Sequence, residues 1–494
     1  MARFQLAIGR GGLAAAFVLS VALAGVLYAS FVTSLSPLSI LYSEGWNMAH
    51  QVTVLEGRPL YGSAPTFTVA NYPPLSFYVV ALTAGLGGLD ALVAGRLVSF
   101  AAFALCCGMV GLCAWLFGAR LLHAACAALT FGIVVAAPIA VGIGWVGANE
   151  PHLLGLAFSL AGLAAFLLAG PRRWLLVGSA VLIAAAVFTK LSFVAIPVAL
   201  GLHLLATRDW RRLAVWVLAG IGATIPMLAW TLFAEGGHAL AHIFFERAVS
   251  RWYAVPMVMT LIERCGTLLL AAVVALGLLW AWRHPQRGLL TLLFASTLGF
   301  SVFFSAGNGV ALNIFFDLMA VAAIVCFVPF GEVWPETGRR GQGVVLAMAL
   351  LLPAGSTLGV APGAVWGVLK EQRARVELAT SYREMGRQLA ELPGDIVCED
   401  LVLCLRAGKR VIYDTYFVDD QIRVGRLDGA AVAGLFAARS FPAVQLGQDV
   451  PATLEGRGPM RRFPTLVANS IRDNYAVAVA SGKHVILRPR PAGQ

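Results

Sequence analysis

Two carboxylates stand where apolar stretches end, and their surroundings suit proton transfer. Glu44 follows the run that closes at Leu41 and sits in Tyr42-Ser43-Glu44-Gly45-Trp46-Asn47, and Glu150 sits in Gly147-Ala148-Asn149-Glu150-Pro151-His152. A carboxylate partly withdrawn from water becomes more basic, yet at a boundary it stays within reach of a hydroxyl. The two could divide activation and orientation of an acceptor between them, or hold a divalent cation, Mg2+ or Mn2+, with Asn149. Blander roles stay open for both. Glu44 would also stabilise the first turn of a following helix, and Asn149-Glu150-Pro151 is an ordinary helix start.

Cations mark the same boundaries. Lys190, in VFTKLSFVAIP, has no acid near it in sequence, and Arg247 and Arg251, in FFERAVSRWY, are four apart and share a helix face. Arg96 opens an apolar span. Each suits a phosphate, and each would equally be satisfied by snorkelling to the surface or by lipid headgroups. His152 reads as an interfacial hydrogen-bonding residue or a substrate contact. Asn313 and Asp317 share a helical face about one turn inside a span, where Asp317 needs a partner, either structural or in a substrate cavity. Tyr61 and Tyr72, with Trp46, Trp145 and Trp252, are of the type that stacks on sugar rings, although interfacial aromatics are common in membrane proteins.

The elements that carry these residues follow from composition. The chain has 494 residues, 59% hydrophobic and 12% charged, with a mean hydropathy of +0.80. These values exclude a soluble enzyme and indicate a polytopic α-helical membrane protein. The net charge of +11 is spread over short loops and the C-terminal region with no basic, aromatic-interleaved stripe, so nucleic acid is not expected as a partner. Apolar runs of roughly 17 to 25 residues predict about eleven spans. They cover 11–33, 97–117, 121–144, 152–169, 174–189, 191–206, 213–233, 264–282, 288–304, 311–330 and 343–366. The first is expected to be an uncleaved helix rather than a signal peptide. Residues 75–89 are apolar but short and glycine-containing, so they read as an interfacial or re-entrant helix in a first outer loop over 42–89.

With that choice Arg3, Arg10, Arg120, Arg172, Arg173, Arg208, Arg211, Arg212, Arg283, Arg287, Arg339 and Arg340 fall on one side. This side is expected to be the cytoplasm, which puts the C-terminus outside. Residues 1–366 form the membrane domain of this reading. From 367 to 494 the composition becomes soluble and predicts a small periplasmic α/β domain, with strands at DIVCE, AVAVA and HVILRP. Within it Cys398 and Cys404 either pair in an oxidising compartment or are turned apart by the intervening EDLVL.

The order Ser43-Glu44-Gly45, Gly57-Arg58-Pro59-Leu60-Tyr61, Tyr72-Pro73-Pro74-Leu75 and Gly95-Arg96-Leu97 resembles the GT-C superfamily of membrane glycosyltransferases. The similarity points toward bacterial members related to protein O-mannosyltransferases and aminoarabinose transferases. The acid near 150, the Thr189-Lys190 turn and the C-terminal domain extend the likeness over most of the chain. The resemblance implies an inverting transferase of the bacterial inner membrane. It would move a sugar from a polyprenyl-phosphate donor to a hydroxyl of a lipid, glycan or protein on the periplasmic face. It also implies that Glu44 is the acceptor-activating acid, where many relatives carry Asp-Glu or a lone Asp. A transporter or flippase of lipid-linked sugars is the alternative, together with a lipid-linked glycan polymerase or ligase. A flippase predicts charges near mid-membrane on repeated, broken helices, whereas here they gather at one face.

Overall fold

The computed structural model describes residues 10–137, 144–244, 251–331, 347–370, 372–447, 463–481 and 484–491. Long apolar helices dominate it: α1 Arg10–Ser34, α4 Ala91–Leu116, α5 Leu121–Ala136, α6 His152–Ala169, α7 Arg173–Thr189, α8 Ala195–Ala206, α9 Trp210–Phe233, α11 Arg251–Ala281, α12 Arg287–Ser305 and α13 Phe316–Phe327. Between α1 and α4 lie α2 Tyr42–Leu55 and α3 Leu75–Gly87, and the short α10 Ala239–Phe244 follows α9. Among the described residues six helices are long and apolar enough to cross a bilayer, and the other expected spans fall on apolar helices of 10–17 residues. The chain is a multi-pass membrane protein. Helix α3, with 13 residues, is about 20 Å long at 1.5 Å per residue, short of a bilayer's roughly 30 Å core.

Local chemistry sets where the helices begin. Asp90 accepts from the backbone N–H groups of Leu92 (2.9 Å) and Val93 (3.3 Å), so α4 starts at Ala91 rather than at the expected position 97. Arg96 therefore lies inside the helix and turns into the protein. Asp209 caps α9 in the same way, through Arg212 N–H at 3.2 Å. Helix α13 is buried at every position, which its unbroken apolar sequence requires of a helix surrounded on all sides. The core around it takes side chains from α1, α4, α5, α6, α11 and α12.

Beyond α14 (Gly355–Lys370), which crosses the expected division at 366, comes a polar helix, α15 Gln372–Ala390. A four-stranded sheet follows, with β1 Val397–Cys398, β2 Val444–Gly447, β3 Tyr475–Ser481 and β4 His484–Pro489 in the order β1-β2-β4-β3. Strands β1 and β2 run parallel, joined through α16 Leu401–Arg406, α17 Thr415–Arg423 and α18 Gly429–Ala437, while the other pairings are antiparallel. Helix α19 Thr465–Asn474 packs on α18. The three expected strands form, and β2 is an addition. Cys398 and Cys404 are disulfide-bonded across the turn from β1 to α16, with Cα atoms 6.4 Å apart.

This sheet unit sits on the long loop between α1 and α4 and on the connection from α12 to α13. Tyr42 donates its hydroxyl to Asp414 (2.7 Å), Arg406 donates to the Pro37 carbonyl (2.7 Å), and Asn308 donates to Asp420 (2.7 Å).

Candidate active site

Glu44 lies in the first turn of α2 and is wholly buried. Its Oε1 accepts from Arg96 Nε (2.8 Å) and from the backbone N–H of Asn149 (2.8 Å). Its Oε2 accepts from Arg96 Nη2 (2.8 Å) and from the backbone N–H of Ile40 (2.6 Å). The guanidinium spends its remaining donors on the carbonyls of Ser34 (2.9 Å), Ser36 (2.6 Å) and Leu38 (2.8 Å). Two expectations change with this geometry. Glu44 has no oxygen turned to a hydroxyl, and Arg96 has no N–H left for a phosphate. Together they fasten the end of α1, the start of α2 and the Asn149 loop to α4.

A second layer continues from the same helix. Gln51 and Asn149 exchange amide hydrogen bonds of 2.8 Å in both directions, and Asn47 donates to the Asn149 carbonyl at 2.9 Å. Glycine at position 95 makes this possible, because a Cβ there would lie 1.9 Å from Asn149 Oδ1. Glu150, the next residue, is half-buried and lines a small cavity with Asn47, Gln51, Ser76, Gly95, Asn149 and Leu154. Gln51 was not singled out from the sequence. A signal was there: Glu44, Asn47 and Gln51 stand at i, i+3 and i+7, a polar stripe on one face of α2.

Lys190 caps α7, and its ammonium lies 3.3 Å from His152 Nδ1 and 5.0 Å from the centre of the Tyr72 ring. An ammonium has no lone pair, so Nδ1 is the acceptor and Nε2 carries the imidazole proton. The imidazole is buried against Phe193 and Phe316, with ring centroids at 4.8 and 5.6 Å. Its Nε2 has no hydrogen-bond partner among the described residues. The sequence singled out Lys190, His152 and Tyr72 separately, and the fold gathers them.

Close by runs an apolar cavity of about 350 Å3, lined by Pro74, Leu75 and Tyr78 of the α3 start, Phe188 of α7, and Pro226, Met227 and Trp230 of α9. Phe188 is two residues from Lys190, and Pro74 two residues from Tyr72, so this cavity lies near the cation.

Other expected residues fall elsewhere. Tyr61 is fully buried and donates to the Tyr72 carbonyl (2.7 Å), so its ring is core and not a sugar platform. Asp317 finds a structural partner, accepting from Ser301 at 3.1 Å and from Leu318 N–H at 2.9 Å. Asn313 is buried in the turn just before α13. Arg247 lies outside the described residues, and Arg251 begins α11. A divalent cation does not fit at Glu44, where a guanidinium and two backbone N–H groups already occupy both oxygens. Among the described residues no group of three or more His, Cys, Asp or Glu side chains is arranged to hold a metal.

The fold these features occupy is shared with solved structures of ArnT and of archaeal oligosaccharyltransferases. The crystal structure of ArnT from Cupriavidus metallidurans bound to undecaprenyl phosphate superposes with a TM-score of 0.59 over 96% of this chain and 98% of that one, at 18% identity. The apo oligosaccharyltransferase of Archaeoglobus fulgidus gives 0.59 over 96% of this chain and 75% of its own, at 9% identity. The archaeal AglB from Archaeoglobus fulgidus in complex with an inhibitory peptide and a dolichol-phosphate gives 0.55 over 86% and 69%, at 12% identity. No protein-family model and no curated protein matches the sequence.

Proposed function

We propose that this chain is an inverting glycosyltransferase that moves a sugar from a polyprenyl-phosphate donor to an acceptor hydroxyl of a lipid, glycan or protein. The observation that carries the reading is the pairing of Lys190 with an adjoining apolar cavity. A carrier lipid has the same two parts, an anionic phosphate and a hydrocarbon tail. Its support is a fold shared over nearly the full length of an ArnT structure that holds undecaprenyl phosphate.

In this reading the proximal isoprene units fill the cavity between α3, α7 and α9. The phosphate meets the Lys190 ammonium and the Nε2–H of His152. Glu150 acts as base. It takes the acceptor hydroxyl's proton while that oxygen attacks the anomeric carbon and the bond from that carbon to the phosphate oxygen breaks. The leaving phosphate carries away the electron pair and is stabilised by fixed positive charge, the type of term that is usually largest in such sites. Attack opposite the leaving group inverts the anomeric centre. Glu44 and Arg96 act at one remove, holding the Asn149 loop that presents Glu150.

The Cys398–Cys404 bridge suits an oxidising compartment. With the distribution of arginines it supports a periplasmic sheet unit, a cytoplasmic N-terminus and residence in a bacterial inner membrane. The test uses the full chain in lipid nanodiscs with radiolabelled undecaprenyl-phosphate sugars, scoring release of undecaprenyl phosphate. Lys190→Met is expected to lower turnover on the order of 10²-fold, as loss of one electrostatic stabiliser does, and Glu150→Gln at least as far. Transbilayer movement of an intact donor in vesicles, without release by the native chain, would make it a transporter.

A further inference from the structure

Glu235, just beyond the end of α9, was not among the residues singled out from the sequence, yet it stands where three walls meet. It is 3% exposed. Its Oε1 accepts from the Tyr78 hydroxyl and from Trp230 Nε1 (3.1 Å), and its Oε2 accepts from the backbone N–H of Leu60 at 3.2 Å. Tyr78 and Trp230 are the two polar-tipped aromatics that line the apolar cavity. Their rings meet edge to face with centroids 6.5 Å apart.

The same stretch grips the long loop through its backbone. Tyr61 N–H donates to the Glu235 carbonyl (2.8 Å), and His238 N–H reaches back to the Tyr61 carbonyl at 3.4 Å. Gly236, between them, has φ +107°, and a Cβ there would stand 2.4 Å from the Tyr61 carbonyl oxygen. This crossing needs glycine twice, for its backbone angle and for the close approach. Tyr61 in turn donates its hydroxyl to the Tyr72 carbonyl at 2.7 Å, and the Tyr72 ring lies under the Lys190 ammonium. Hydrogen bonds from the Glu235 side chain to Leu60 and from its backbone to Tyr61, followed by the bond from Tyr61 to the Tyr72 carbonyl, thus connect the cavity wall to the residue that cradles the cation.

We propose that Glu235 is a positioning residue that sets the shape of the lipid cavity and couples it to the Lys190 site. The inference rests on the reading that a carrier lipid occupies the cavity. A tail that pushes Tyr78 or Trp230 aside changes how Glu235 is held, and with it the seating of Tyr61 and Tyr72. A carboxylate suits this junction because only an acceptor with two oxygens can serve two side-chain donors on one side and a backbone donor on the other.

The experiment follows thiol labelling at Met227→Cys, a position that lines the cavity, in the full chain in detergent with undecaprenyl phosphate as the probe. With Glu235 present, the lipid slows labelling. Adding Glu235→Leu is expected to raise the half-protecting concentration about tenfold, a 1.4 kcal/mol change. Glu235→Gln keeps one oxygen for Tyr78 and Trp230 and should recover part of the loss, which a merely space-filling role would not give. Tyr78→Phe and Trp230→Phe should each shift protection roughly two- to threefold, within the range for single hydrogen bonds, and they decide the matter where Glu235→Leu fails to fold. In turnover the change should fall on the donor KM more than on kcat. Native protection in a folded Glu235→Leu chain, or in both aromatic variants, would overturn the coupling while leaving the lipid site standing. No protection with Glu235 intact would overturn the lipid site and the coupling together.

Discussion

Replacing Glu44 by Gln separates two roles that the sequence leaves entangled. In the structure each carboxylate oxygen accepts one bond from Arg96 and one from a backbone N–H. An amide keeps one oxygen and turns an NH2 group toward the other pair of donors. At least two buried donors then lose their acceptor, at about 1–3 kcal/mol each, and the Arg96 charge loses its counter-ion. Removing one partner of a buried pair costs about 3–5 kcal/mol, so both routes arrive at the same range. Glu44→Gln should therefore shift the thermal midpoint of the detergent-solubilised chain down by several degrees, read as the folded fraction that survives heating. Glu44→Leu/Arg96→Leu should be less destabilised than the sum of its single variants by about 2 kcal/mol, within the range for contacting residues. Recovery stays incomplete because the carbonyls of Ser34, Ser36 and Leu38 lose their donor. A Glu44→Gln protein with a native midpoint and turnover reduced by about a thousandfold, well within what a lost general base removes, would refute this reasoning and restore Glu44 as the base.

Three further outcomes follow from the same geometry. Gly95→Ala puts a methyl into Asn149 Oδ1 and should cost about 1–3 kcal/mol as an overpacking change. Its turnover should fall further than its stability, because the Asn149 loop carries Glu150, and comparing melting with undecaprenyl phosphate release checks this. His50 is held neutral by burial, which lowers its pKa to about 3. The native state thus binds its proton less readily than the unfolded chain, so stability is intact above about pH 6.5 and lost at up to about 1.4 kcal/mol per unit as pH falls toward 3. His50→Gln should flatten that acid slope in a series of melts. Cys398→Ser should lower the stability of the sheet unit by about 2 kcal/mol, the loop-closure value for so short a bridge. Reductant should then have no further effect on the variant while it destabilises the native chain.

Membrane character, the positions of most long helices and three of four strands could be read from local pattern, because hydropathy and alternation are properties of neighbouring residues. What escaped depends on distant ones. Arg96 reads as the opening of a span until Asp90 is seen to start the helix six residues earlier, which carries the guanidinium into the core. Glu44 reads as a reactive acid until its partners, 52 and 105 positions away, are brought against it. Strand β2 has only four residues and becomes a strand through β1 and β4, not through its own composition. Glu235 carries no local signal in the sequence, because neither Tyr78 nor Leu60 is near it.

The buried glutamates Glu44 and Glu235 argue for a division of labour. Glu44 is satisfied by charge and by backbone, so moving it disturbs three elements at once, and it behaves as a fastening. Glu235 accepts from neutral donors, and burial raises its pKa from the ordinary glutamate value. Among the described residues no cation is paired with it, so mild acid neutralises Glu235 sooner than an exposed glutamate and weakens its grip on Tyr78 and Trp230. Donor affinity should therefore decline at a higher pH in the native chain than protonation of an ordinary carboxylate would give. In Glu235→Gln that limb should disappear, and an unchanged acid limb would assign it to another group.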